Sequence, residues 1–101
     1  MANRPQGCKS TVMTADGYVI NKALKNVYSL VVSYKGATEG DVIVLRDGGP
    51  TGTIKAYVVI PTDNGVNSIP LGRYGICFAT SIYYSEQATA AGKIRTTVVW
   101  D

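Results

Sequence analysis

Residues 45–53, LRDGGPTGT, place three glycines and a proline directly after the apolar run Val42, Ile43, Val44, Leu45. Closely spaced glycines can cradle a phosphate, because bare backbone amides approach an anion without obstruction. That chemistry also needs a Lys and a Ser or Thr immediately after the last glycine, and a helix whose N-terminal amides face the phosphates. Here Gly52 is followed by Thr53, Ile54 and Lys55, and the residues beyond alternate as a strand. The spacing of G-x-G-x-x-G is not met either. The segment reads instead as a hairpin connection, in which Asp47 bonds local backbone, glycine accepts positive φ and Pro50 sets one corner.

Other chemistry is thin. The chain contains no histidine, which removes the commonest general base and metal ligand and any Cys-His or Ser-His nucleophile. Its two cysteines, Cys8 and Cys77, have no metal-binding spacing and are too few for a disulfide framework. Both read as free thiols, Cys77 as a small apolar filler in or near a strand. Of the seven acidic residues, Asp47 and Asp63 fall in turns and Glu39 and Asp41 flank a strand start. Nothing places two carboxylates in one cleft, so turn-forming and solvated roles are expected for them. No catalytic residue, metal site or cofactor is predicted.

Seven tyrosines stand against one phenylalanine. Tyr18, Tyr28, Tyr34, Tyr57, Tyr74, Tyr83 and Tyr84, with Trp100, could stack bases or sugars. Tyrosine also suits strands and wet subunit interfaces, where the ring is buried and the hydroxyl stays solvated. Tyr28, Tyr34 and Tyr74 share the parity assigned to the core, which leaves Tyr57, Tyr83 and Tyr84 as the expected oligomer or partner surface. The net charge is +3. The excess is N-terminal: Arg4, Lys9, Lys22, Lys25 and Lys35 face only Asp16 in the first 35 residues.

The elements that must carry these residues have a period of two. In LKNVYSLVVSY, Leu24, Tyr28, Leu30, Val32 and Tyr34 form one face. DVIVLRD is apolar on both parities, as in a strand covered on both sides, and Val44 is expected to pack inside the sandwich or in an oligomer. GTIKAYVVI sets Ile54, Ala56, Val58 and Ile60 against Thr53, Lys55 and Tyr57. RYGICFA puts Tyr74, Ile76 and Phe78 on one face, and KIRTTVVWD does so with Ile94, Val98 and Trp100. Shorter strands are expected near Tyr18 to Ile20 and Ile82 to Tyr84. Turn chemistry separates them in YKGATEGD, RDGGPTG, PTDNGVNSIPLG and SEQATAAG, the last of which could hold a helical turn.

Many short strands without an amphipathic helix, in a chain of 101 residues, predict one all-β domain, a small antiparallel β-sandwich of jelly-roll type. Residues 1–16 lack periodicity and are expected to form an extended N-terminal arm, with the sandwich spanning 17–101. The absence of a long apolar run and of a signal-peptide pattern predicts synthesis in the cytoplasm and no membrane span.

The order LKNVYSLVVSYKGATEGDVIVLRDGG, a strand, IPTDNGVNSIPLG, YGICFATSIYY and terminal TTVVWD resembles small β-sandwich structural proteins of tailed bacteriophages. The matching motifs are a Val-Tyr strand at Val27 and Tyr28, a strand and turn from Gly40 to Gly48, and a Gly-Ile-x-Phe-x-Thr strand from Gly75 to Thr80. The likeness covers roughly residues 17–101; Gly40-Asp41-Val42 departs from the pattern by its acid and its valine. The resemblance implies a virion component, made in the host cytoplasm: a capsid decoration or cement protein on the capsid surface. Its implied partners are the major capsid protein and further copies of itself, a trimer being favoured. Arg4 and Lys9 in the arm are the expected capsid contacts. Neither membrane nor nucleic acid is an expected partner. The alternatives are a tail or head appendage that recognises a glycan or protein receptor, with loops such as Thr62 to Asn67, and a single-strand nucleic-acid binder.

Overall fold

Alternating strands that each bury one face are completed by a second sheet, and that is the arrangement found in a computed structural model describing residues 8–90 and 92–101. Among these residues nine strands occur: β1 (Lys9–Met13), β2 (Gly17–Ile20), β3 (Lys25–Lys35), β4 (Val42–Asp47), β5 (Thr53–Val59), β6 (Asn64–Pro70), β7 (Ile76–Phe78), β8 (Ile82–Gln87) and β9 (Ile94–Trp100). One sheet has the order β1-β9-β3-β6, with β7 also paired to β3, and the other the order β2-β8-β4-β5. All pairings are antiparallel. With β7 set aside, β1 pairs β9, β2 pairs β8, β3 lies beside β6 and β4 beside β5, the winding of a jelly roll. The first sheet, to which β7 belongs through β3, is sheet A and the second sheet B.

The core lies between the sheets. Val27, Leu30, Val32 and Val98 of sheet A pack with Ile43, Leu45, Ile82 and Tyr84 of sheet B, and Phe78 and Trp100 close the ends. Trp100 also donates from its indole Nε1 to Thr11 Oγ1 at 2.9 Å. The ammonium groups of Lys9 and Lys25 lie 5.4 and 5.8 Å from its ring centroid. On β4, Ile43, Val44 and Leu45 are all buried. Val44 points away from the core yet is only 2% exposed, so a single chain covers it and no second copy is needed for that.

Two bulges shift the expected parities. The β3/β9 register passes from Val27↔Trp100 to Ser29↔Val99, so Tyr28 is the extra residue and Val27 takes the core position. Leu24, expected in the core, is exposed and has a positive φ of 58°. Likewise Leu45↔Ala56 is followed by Arg46↔Ile54, which makes Lys55 extra and turns Ile54 outward. Tyr74 precedes β7 instead of belonging to it and is 79% exposed. Cys77 is exposed too, so it fills no core space.

Two strands occur where none was expected. Lys9–Met13, placed in an arm by its lack of periodicity, is β1, in register with β9 from Lys9↔Trp100 to Met13↔Thr96. An edge strand buries little, so the polar run KSTVM suffices. Of the expected arm, residues 1–7, Arg4 included, lie outside the described residues. Asn64–Pro70 is β6 although it reads as turn chemistry, because β3 is long enough to present a free edge and Tyr34 lies against Gly65, its register partner. The described residues of SEQATAAG form the end of β8 and, beyond it, no helical turn.

Candidate functional site

The glycine-rich segment is a β4–β5 hairpin connection. Gly48 and Gly49 have φ of 104° and 101°, and the Gly52 amide donates to the Gly49 carbonyl at 3.0 Å. Asp47 pairs with Thr53 across the hairpin through its backbone, but its side chain reaches beyond the turn. Its carboxylate accepts from the amides of Ala79, Thr80 and Ser81 at 2.9, 2.8 and 3.3 Å, which ties the hairpin to the β7–β8 loop. These bonds, that from Thr80 first, hold its pKa below the usual carboxylate value.

The other acids are tied in the same way. Asp41 is buried and accepts from the Thr38 amide and from both the amide and hydroxyl of Thr89, each at 3.1 Å. The Thr38 bond is the main cause of its lowered pKa. Asp16 accepts from the Glu86 amide at 2.8 Å. The Tyr84 hydroxyl donates to Glu86 Oε2 at 2.7 Å and lies 2.9 Å from Thr96 Oγ1. A phenol has one proton, so Thr96 must donate to Tyr84. Burial raises the pKa of both Tyr84 and Glu86. The carboxylates thus act as acceptors that fasten loops, and among the described residues no group of three or more His, Cys, Asp and Glu could hold a metal.

The outer face of sheet B is different. Antiparallel register places partners on one side of a sheet, so Tyr18, Tyr83, Arg46 and Ile54 form one row across it. Ser85, Val44 and Tyr57 form the second row, and Gln87, Val42 and Val59 the third. Tyr57 is 60% exposed, and Tyr18, Ile54 and Val59 are each nearly half exposed. Arg46 is the only charge in the three rows. Its Nη1 donates to the Gly52 carbonyl at 3.0 Å, and its shielded Nε has no partner among the described residues. Rows of tyrosines and aliphatic residues with one arginine, bordered by the exposed bulge residue Lys55 and by Asp16 at Ser85, have the composition of a protein interface. Strand β5, at the edge of this sheet, extends the patch to an edge open for pairing.

Of the residues expected on a partner surface, Tyr57 and Tyr83 lie on this face. Tyr84 does not. It is fully buried, because successive residues of a strand point to opposite sides and β8 turns Tyr84 inward toward Leu45 and Thr96. Tyr18 joins the face, although periodicity assigned it to neither side. Of the expected capsid contacts, Lys9 opens β1 with its ammonium near Trp100, and Arg4 is outside the described residues. The loop expected at Thr62 to Asn67 runs into β6.

Comparison of the chain with protein families, with curated proteins and with solved structures found no match.

Proposed function

We propose that the protein is a non-enzymatic structural component of a tailed-phage virion, a decoration protein that docks on the major capsid protein and stabilises the shell as an oligomer. The observation that carries this reading is the outer face of sheet B: Tyr18, Tyr83, Tyr57, Ile54 and Val59 on a rigid jelly roll, with Arg46 as the only charge in its three register rows. A cement protein needs binding area and rigidity, not chemistry, and repeated weak contacts from an oligomer add up on a shell. The basic N-terminal residues Arg4 and Lys9 supply a second contact in this reading. The phage assignment rests on the sequence resemblance.

A single-strand nucleic-acid binder is disfavoured by placement. Such proteins interleave cations with exposed rings along one surface, whereas Lys35, Lys93 and Arg95 belong to sheet A or its end, and beside Tyr18, Tyr57 and Tyr83 sheet B offers Lys55 and an Arg46 already bonded to the Gly52 carbonyl.

The test is to mix the purified protein with emptied, undecorated capsids and with isolated tails, sediment each and count bound copies. Saturable capsid binding that is lost in Tyr57→Lys supports the proposal. Binding to tails alone, or to neither, overturns it, and a glycan array then tests the receptor-recognition alternative. Removal of residues 1–7 tests the N-terminal contact without removing β1.

A further inference from the structure

At the end of sheet A where β3 stops and β6 and β9 begin, a groove of about 320 Å³ opens. Its walls bring together Lys35, Lys93 and Arg95, with Ser33 and Thr14 beside them. The backbone explains the convergence. Lys35 donates its amide to the Lys93 carbonyl at 3.0 Å, and Ser33 is the register partner of Arg95. Side chains two apart on a strand share a face, so Ser33 and Lys35 project to the same side as Arg95, the register partner of Ser33, and Lys93, just before β9, lines the groove beside them. Gly65, the register partner of Tyr34, leaves room for that ring: a Cβ there would lie 2.9 Å from the Tyr34 hydroxyl. No carboxylate is among the described residues that line the groove.

Three cations around an unobstructed groove make a site for an oxyanion, with the Arg95 guanidinium able to bind it through two nitrogens and the lysines as point charges. The surroundings narrow the class. A second hollow, of about 200 Å³, shares Thr14 and Gly92 with the first and carries Asp16 and Glu86. A continuous chain of phosphates leaving the groove on that side would meet these carboxylates. No exposed aromatic ring lines the groove to stack a base, since Tyr34 is buried. A separate carboxylate on a flexible polypeptide meets neither obstacle.

We propose that this groove is a second docking site, which takes an Asp or Glu side chain from an acidic segment of a protein partner. The inference rests on the assembly reading above only for the partner being a protein.

The experiment is an amide NMR titration of the full chain at low salt with three separate probes: an Asp-Gly repeat peptide, inorganic phosphate and a short oligothymidylate. The expected result is that the peptide shifts amides around Lys35, Gly65, Lys93 and Arg95, and that added salt weakens the effect. Lys35→Ala and Arg95→Ala should each weaken peptide binding about two- to fivefold, the range for exposed charge pairs. Combined with Lys93→Ala they should abolish it, while Tyr57→Ala leaves it unchanged. Peptide shifts that are absent, or that survive the triple substitution, overturn the proposal. Tighter binding of phosphate or oligothymidylate than of the peptide overturns the protein assignment. Capsid sedimentation separates the two readings: capsids that bind while the peptide does not refute the groove, and a peptide that binds while capsids do not refutes the capsid role.

Discussion

The rings of Tyr18 and Tyr83 meet edge to face on the outside of sheet B, with centroids 5.0 Å apart and planes at 83°. The pair fixes one end of the proposed docking face, and Tyr57 lies exposed near the other. Such ring pairs contribute about 0.5–1.5 kcal/mol beyond their buried area, so Tyr83→Ala should lower the melting temperature measurably. Tyr57→Ala removes only exposed surface and should change stability by less than about 0.5 kcal/mol. Both should weaken capsid binding, Tyr57→Ala without any loss of stability to account for it. Thermal melts beside sedimentation separate the two effects; an unchanged copy number with Tyr57→Ala would remove Tyr57 from the interface.

Tyr84→Phe keeps the ring in the core but deletes the hydroxyl between Glu86 and Thr96. The buried Thr96 hydroxyl loses its acceptor, a loss that costs about 1–3 kcal/mol. Urea unfolding should show a lower midpoint at unchanged slope. A neutral effect would mean that the network contributes nothing to stability.

Stability should vary with pH in two opposed limbs. Asp41 and Asp47 have folded pKa values lowered from 3.8, so their contribution is complete above the unfolded value and is lost as pH falls through the lowered ones. Glu86 is raised above 4.5, first by burial. Its ionised form therefore costs the folded state, fully above the raised value, and the cost disappears as pH falls through that value to below 4.5. Melting temperature should rise from neutral to weakly acidic pH and fall below about pH 4. In Glu86→Gln the first limb should flatten while the second remains. Melts across this range check both, and a first limb that persists in the variant would contradict the role given to Glu86.

Asp47→Ala should release the β7–β8 loop, because the amides of Ala79, Thr80 and Ser81 lose their common acceptor. About 1–2 kcal/mol of destabilisation is expected. Hydrogen exchange should accelerate at those three amides while β3 and β9 keep their protection. Equal acceleration throughout would mean that the loop does not open independently.

Period-two patterning, punctuated by turn residues and without an amphipathic helix, determined the fold class. Val32, Phe78, Ile94 and Val98 all fall on the buried parity because a strand side chain has only two sides to choose between. The turn character of DGGPTG was equally legible, since positive φ at Gly48 and Gly49 is a local property. Tertiary structure decided what depends on a neighbouring strand. Tyr28 and Lys55 become bulge residues only against β9 and β4, and those bulges put Val27 inside and Ile54 outside. β1 and β6 exist because β9 and β3 offer edges for their polar sequences to pair with. The candidate face was half legible: alternation requires Tyr83 and Tyr84 to point opposite ways, but their own sequence does not say which one turns inward. Pairing of Leu45 with Tyr84 and of Arg46 with Tyr83 settles that, because a register is a property of two strands and not of one.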